Sequence, residues 1–187
     1  MKEKITEHSI RLFEKKGFTE TSIQDIVESI GVTKGTFYYY FSSKEELLMD
    51  IHNRYIDQLL SEQEKILLDE TKSSQEKLSD IVLMLIQSIR GQGPSAKVFF
   101  REMQNLSQDR LEEIVQKRDE FRLNIQRVLE EGTENGEFKP ELNAPIATFG
   151  ILGMANWSYQ WFNPEGLMNE KEVSQIFTDM ILSGIKK

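Results

Sequence analysis

The 187-residue chain carries 31 carboxylates against 23 lysines and arginines, a formal net charge of −8, with 39% hydrophobic and 29% charged residues. Those proportions describe a globular chain, either one well-buried core or a small module fused to a larger one, and exclude a disordered one. The absence of cysteine excludes disulfides, thiol nucleophiles and cysteine-ligated metals and fits a reducing compartment.

The first residues, Met1 to Glu7, contain no apolar run, so no signal peptide is expected. The longest nearly apolar stretch, Pro145 to Trp157, is too short to span a bilayer, and a cytoplasmic location is the expectation. Lys2 to Lys16 reads as a helix with Ile5, Ser9, Leu12 and Phe13 inward, closed by Gly17. Thr21 or Ser22 caps a second helix in which Ile23, Ile26, Val27 and Ile30 form an i, i+3, i+4, i+7 stripe. Gly31, free to take positive φ, turns the chain sharply into a short third helix. There Phe37 and Phe41 lie four apart and point one way, leaving Thr33, Lys34, Thr36, Tyr38, Tyr39 and Tyr40 over the remaining surface. Ser42 and Ser43 end it, and Ser43 with Glu46 reads as a capping box for the helix that follows. One helix, a glycine turn and a second helix make a helix-turn-helix.

From Lys44 the pattern Leu47, Leu48, Ile51, Tyr55 and Leu59 continues as a long helix to a polar break at Asp69 to Ser74. The two histidines, His8 and His52, have no partner at ligand spacing and read as surface or boundary residues, so no metal or cofactor is expected. Leu78, Ile81, Val82, Leu85, Ile86 and Ile89 mark a core-facing helix that stops at Gly91-Gln92-Gly93. Pro94 or Ser95 then opens a shorter helix carrying Val98, Phe99, Phe100, Met103 and Leu106. A further stripe from Leu111 through Ile114, Val115, Phe121, Ile125, Val128 and Leu129 ends near Gly132 and Gly136. Asn143 caps a helix, Ala144 to Phe162, that is apolar nearly all round and needs cover on more than one side. A last helix, about Asn169 to Ile185, repeats the stripe. A chain this size has few elements left to bury both faces, so the last two helices are expected to dimerise as a four-helix bundle. The fold class is all-α.

Thr21-Ser22, Ile26, Gly31-Val32-Thr33-Lys34-Gly35-Thr36-Phe37-Tyr38-Tyr39-Tyr40-Phe41 and Lys44-Glu45-Glu46-Leu47 together resemble the DNA-binding domain of the TetR family of transcriptional regulators. The resemblance implies a helix-turn-helix domain over residues 1–46 and a larger helical effector-binding and dimerisation domain over 47–187. It implies DNA contacts from Thr33, Lys34 and Thr36 at the start of the short helix and from Tyr38, Tyr39 and Tyr40 along it. Packing against the following helix is the alternative for at least one tyrosine. Gly35 would let the backbone approach the groove, with Lys44 as a phosphate clamp and Ser22 and Gln24 as helpers. A two-fold dimer would set two such helices about 34 Å apart on a near-palindromic operator. The usual basic footprint is missing: over residues 1–50, nine carboxylates outnumber seven cations, so weak non-specific affinity is expected.

The segment Trp157 to Gly166 further resembles members of that family that respond to fatty-acyl-CoA thioesters. Arg118 and Arg122 occupy positions on the apolar stripe of their helix, where a cation needs an anion or a path to water. Two accounts stand: an intraprotein pair or snorkelling, or a site for a carboxylate or CoA phosphate with Phe99, Phe100, Met103, Trp157 and Trp161 walling an apolar tunnel. The function implied is a repressor released from its operator by a small apolar or acyl-CoA-like effector. A repressor tuned to aromatic or cationic drugs and a protein-interaction module are the alternatives. An enzyme is disfavoured, because the chain has no Gly-x-Ser-x-Gly and no phosphate-cradling glycine loop.

Overall fold

A computed structural model describes residues 1–185. Among these residues the chain is helical, with α1 Lys2–Lys16, α2 Ile23–Ile30, α3 Lys34–Tyr40, α4 Lys44–Leu67, α5 Ser74–Arg101, a 3-10 turn at Met103–Asn105, α6 Gln108–Glu134, α7 Ala144–Trp161 and α8 Glu170–Ile185. No described helix is long and apolar enough to cross a membrane. The chain divides into two compact units, one of Met1–Asp57 with Gln92–Val115 and one of Gln58–Gly91 with Gln116–Lys187.

In the first unit α1 packs on α2 and α2 on α3. Ile5, Phe13, Ile26, Phe37, Leu47 and Leu48 are fully buried, the apolar positions the periodicity selects. Gly17, at φ 88°, closes α1, and Gly31, at φ 77° and ψ 39°, closes α2 in the left-handed region that a side chain disfavours. Ser22, not Thr21, is the α2 cap: its hydroxyl accepts from the Asp25 amide while the Asp25 carboxylate accepts from the Ser22 amide at 2.8 Å. The box before α4 is offset from the Ser43–Glu46 pair expected. The Ser43 hydroxyl accepts from the Glu46 amide at 3.0 Å, but the Glu46 carboxylate reaches past Ser43 to the Ser42 amide at 2.6 Å.

The break expected at Gly91-Gln92-Gly93 is present: two helical stretches meet within α5 at a kink where Gln92 takes the non-helical φ −128° and ψ 15°, the second ending at Arg101. Pro94 lies just beyond it, where the missing amide hydrogen and ring bulk are tolerated because the helical ladder is already broken. One further expectation is corrected here: His52 is not a surface residue. It is fully buried in α4, its Nδ1 2.9 Å from the Leu48 carbonyl and its ring 5.2 Å from Phe99.

In the second unit the buried Gln63 side chain donates to the Phe121 carbonyl at 3.0 Å and accepts from Asn124 at 2.7 Å. That pairing removes the cost of burying an amide between α4 and α6. The Glu137 carboxylate accepts from the Ser74 and Gln75 amides at 3.1 and 3.0 Å, capping α5 from a residue more than sixty positions away. Two residues on, Lys139 holds the end of α8, donating from its amide to the Ile185 carbonyl and from its ammonium to that of Gly184, each at 2.9 Å. Gly132 is pressed beneath the buried Phe138 ring. A Cβ there would lie 2.8 Å from that of Ser74 and closer still to the ring. Replacing Gly132 by Ala is therefore expected to destabilise the protein by about 1–3 kcal/mol, the usual range for overpacking. Urea denaturation would read it as a lowered midpoint with an unchanged slope.

Candidate nucleic-acid interface and effector residues

The short helix α3 begins at Thr33, an extended residue whose hydroxyl accepts from the Thr36 amide at 3.3 Å and lies 3.2 Å from the Thr36 hydroxyl. Phe37 and Phe41 are buried with ring centroids 5.9 Å apart, so the helix is bolted down by one face. Each ring contributes about 1.5–3 kcal/mol through burial. The opposite face is open. Tyr39 is 81% exposed and Tyr38 53%, while Thr33, Lys34 and Gly35 are also exposed and Thr36 is partly so. Tyr40 is half-buried, its ring edge-on to Tyr39 at 4.8 Å. The three tyrosines thus separate into two free hydroxyl-bearing rings and one that steadies its neighbour.

Ser22 and Gln24 begin α2 and are exposed. The Ser22 amide and hydroxyl both donate to Asp25, which holds that carboxyl below its ordinary pKa, and Gln24 donates to Glu28 at 2.5 Å. Lys44 behaves differently from a free phosphate clamp. Its ammonium donates to the carbonyls of Phe18 at 2.6 Å, Thr21 at 2.7 Å and Thr19 at 3.4 Å, and sits 4.3 Å from the Phe18 ring centroid. Partial burial pulls its pKa below the ordinary lysine value against the opposing pull of Glu20, Asp25 and Glu102. Lys44 therefore ties the start of α4 to the loop between α1 and α2, the loop that orients the two helices of the motif. The segment after the α5 kink is fastened to the same module: Lys97 pairs with Glu14 at 2.8 Å, and Glu45 accepts from the Ser107 amide at 2.8 Å. Nothing in the local sequence around Lys97 or Ser107 signals these contacts, because their partners lie some sixty to eighty positions away.

The residues expected to bind an effector fall into both units. Phe99, Phe100 and Met103 belong to the first, where Phe99 is buried against His52 and Tyr55 and stands edge-on to Phe100 at 5.3 Å. Arg118, Arg122, Trp157 and Trp161 belong to the second. Arg122 pairs with Asp119 at 3.2 Å and lies over the Phe149 ring, the intraprotein arrangement that was one of the two accounts. Arg118 lies on the exposed side of α6. Trp157 and Trp161 are 62% and 51% exposed, Trp161 standing 6.2 Å from the Phe177 ring of α8, so among the described residues they do not wall a closed tunnel.

Residues 5–51 match the family described as bacterial regulatory proteins, tetR family, and residues 71–185 match the tetracyclin repressor-like C-terminal domain. The HTH-type transcriptional repressor KstR2 of Mycobacterium tuberculosis is 26% identical over 185 residues, 98% of this chain and 92% of its own length. The solved structure of that ketosteroid transcriptional regulator superposes with a TM-score of 0.91, covering 100% of this chain and 95% of the other. PfmR of Thermus thermophilus, a TetR family transcriptional regulator, is 30% identical with a TM-score of 0.89, covering 98% and 99%. AibR, solved in complex with isovaleryl coenzyme A and operator DNA, shares the fold at 23% identity, with a TM-score of 0.86 over 96% of each chain. An anchored short helix with an open hydroxyl-bearing face agrees with these matches: the chain belongs to the tetR family of bacterial regulatory proteins and is a DNA-binding transcriptional regulator with a tetracyclin repressor-like C-terminal domain.

Proposed function

We propose that this protein is a homodimeric repressor, without catalytic activity, that leaves a near-palindromic operator when a small apolar or acyl-CoA-like effector binds residues 47–187. Residues 1–46 read the DNA, and the cytoplasm is where both operator and effector are found. The observation that carries the reading is α3, rigidly held by Phe37 and Phe41 yet presenting Tyr38 and Tyr39 to solvent. Thr33, Lys34, Gly35 and Thr36 sit at its leading end, where base edges come within reach, and Ser22 and Gln24 supply contacts to the backbone. Lys44 acts by holding the motif's geometry and meets phosphate only by sharing its ammonium.

The effector class is supported by the Trp157 to Gly166 segment and by the relatives: AibR was solved with isovaleryl coenzyme A, and KstR2 is described as a ketosteroid regulator. Phe99, Phe100, Met103, Arg118 and Arg122 are the residues assigned to it. An effector that favours one spacing of the two DNA modules shifts the equilibrium by its differential affinity for the two arrangements.

The operator reading is tested by fluorescence anisotropy with DNA from upstream of the chain's own coding region. Replacing Tyr39 by Ala is expected to weaken binding about 5- to 150-fold, the range of a lost contact of roughly 1–3 kcal/mol, with thermal stability unchanged. Replacing Lys34 by Ala should lower the slope of log affinity against log salt by about 1. Unchanged affinity in both variants would sink the assignment. Isovaleryl-CoA or a long-chain acyl-CoA is expected to weaken operator binding about 5- to 150-fold where a cationic dye does not. The opposite ranking selects the drug-sensing alternative. Both tryptophans of the chain lie on the uncovered face, so dilution through the dimer dissociation range should shift all of the intrinsic emission to longer wavelength. Emission that ignores concentration while light scattering reports dissociation would place the interface elsewhere.

A further inference from the structure

The face that α3 turns to solvent is chemically lopsided. Its seven residues, Lys34–Tyr40, include no arginine, asparagine, glutamine or carboxylate, so Lys34 is the one side chain in it that fits the donor and acceptor code of a particular base. The hydroxyls of Thr36 and the tyrosines turn to donate or accept as a partner requires, and so tell bases apart poorly. What α3 does offer is shape. Tyr39 is 81% exposed, and the Tyr40 ring stands edge-on to it at 4.8 Å, bracing one side of the exposed ring. Helical side chains lean back over the preceding turn, and the residue four positions before Tyr39 is Gly35. Gly35 is exposed, and beyond its own backbone and chain neighbours only the Thr33 hydroxyl comes within 4 Å of where its Cβ would stand, at 3.5 Å. Gly35 and Tyr39 therefore frame a notch with an aromatic wall, open where a single carbon substituent is missing.

We propose that the Gly35–Tyr39 notch seats the 5-methyl group of a pyrimidine in the major groove, so that the protein recognises thymine by its methyl and takes 5-methylcytosine in its place. This rests on the operator reading above and adds the chemical group that is read there. The methyl is the apolar feature that a base pair presents in the major groove, and it marks thymine among the four unmodified bases. An aromatic ring and a bare glycine backbone can bury such a group. Cytosine methylated at C5 carries the same substituent at the same ring position, whereas unmethylated cytosine leaves the notch unfilled. The consequence is regulatory: at an operator with a C·G pair in that place, occupancy follows the methylation state of the DNA.

The test uses the full chain and the upstream duplex, read by fluorescence anisotropy, with thymines replaced by deoxyuridine one symmetric pair at a time. Deoxyuridine keeps the hydrogen-bonding groups of thymine and lacks only the methyl. At one pair of positions affinity is expected to fall about fourfold for each methyl removed, the effect of exposing one buried carbon group. At that pair 5-methylcytosine opposite guanine should bind about fourfold more tightly per methyl than cytosine opposite guanine. Gly35→Ala fills the notch, and because Gly35 has no positive φ and alanine favours a helix, that variant should be at least as stable as the unaltered chain. It is expected to bind thymine and deoxyuridine duplexes equally, and Tyr39→Ala, though weaker overall, should lose the same discrimination. If deoxyuridine costs nothing at any position, or costs as much in the Gly35→Ala variant as in the unaltered chain, the methyl inference is overturned and the operator reading stands. Equal affinity for 5-methylcytosine and cytosine overturns it as well. If the unmodified duplex is not bound at all, the operator reading falls and the inference with it.

Discussion

A seven-residue helix has too few internal hydrogen bonds to overcome its own nucleation cost, so α3 exists because Phe37 and Phe41 are driven out of water. The rest of the N-terminal module is arranged to receive those two rings. The α2 glycine cap sets the angle at which the chain enters α3, the Thr33 hydroxyl satisfies one free amide at its start, and the offset Ser42 and Glu46 pairing stops it before the ring pair is passed. Tyr38 and Tyr39, not needed for that anchorage, are left to face outward, and this is how so small an element can be both held and available.

The second dependency is longer in reach. Lys44 gathers the carbonyls that end the α1–α2 loop, and the pairs Lys97 with Glu14 and Glu45 with Ser107 attach the segment beyond the Gln92 kink to the same module. The compact unit that contains the motif thus takes in residues 92–115, which are distant in sequence. Each surface ion pair is individually worth little, typically below about 1 kcal/mol. Their effect is in direction: several weak contacts from two segments leave the module few ways to tilt.

What was legible in the sequence follows from periodicity and local caps. The stripes of α1, α2 and α4 placed Ile5, Phe13, Ile26 and Leu47 in the core, Gly31 marked the turn, and the apolar girth of α7 pointed to an uncovered face. What escaped is non-local or sub-turn in scale. The Gly91-Gln92-Gly93 signal marks a real break in the helical ladder at Gln92, and what it does not show is that the two stretches run on from one another through a kink. His52 sits on the buried side of a stripe that was drawn through its neighbours Leu48, Ile51 and Tyr55, and a single polar residue does not announce that it can bond to a carbonyl four residues back. The family pattern and the adjoining helix N-terminus point Lys44 to phosphate, whereas its loop carbonyls lie more than twenty positions away and leave no trace near it. The exposure of Trp157 and Trp161 is likewise set by how the other helices pack, not by the residues themselves.

Several of the cations in and beside the module are turned toward its own atoms. Lys2 is paired with Asp50, Arg54 with Glu3 and Asp50, Lys16 with Asp25, and Lys44 with backbone carbonyls. A protein that slides along duplex is held by loose, sequence-blind attraction between mobile cations and the counterion-rich backbone. With seven cations set against nine carboxylates over residues 1–50, and Lys2, Lys16 and Lys44 paired within the module, this chain would take short tracks on DNA and reach its target mainly by repeated three-dimensional encounters. Its search time should then depend on copy number in the cell more than on the length of flanking DNA.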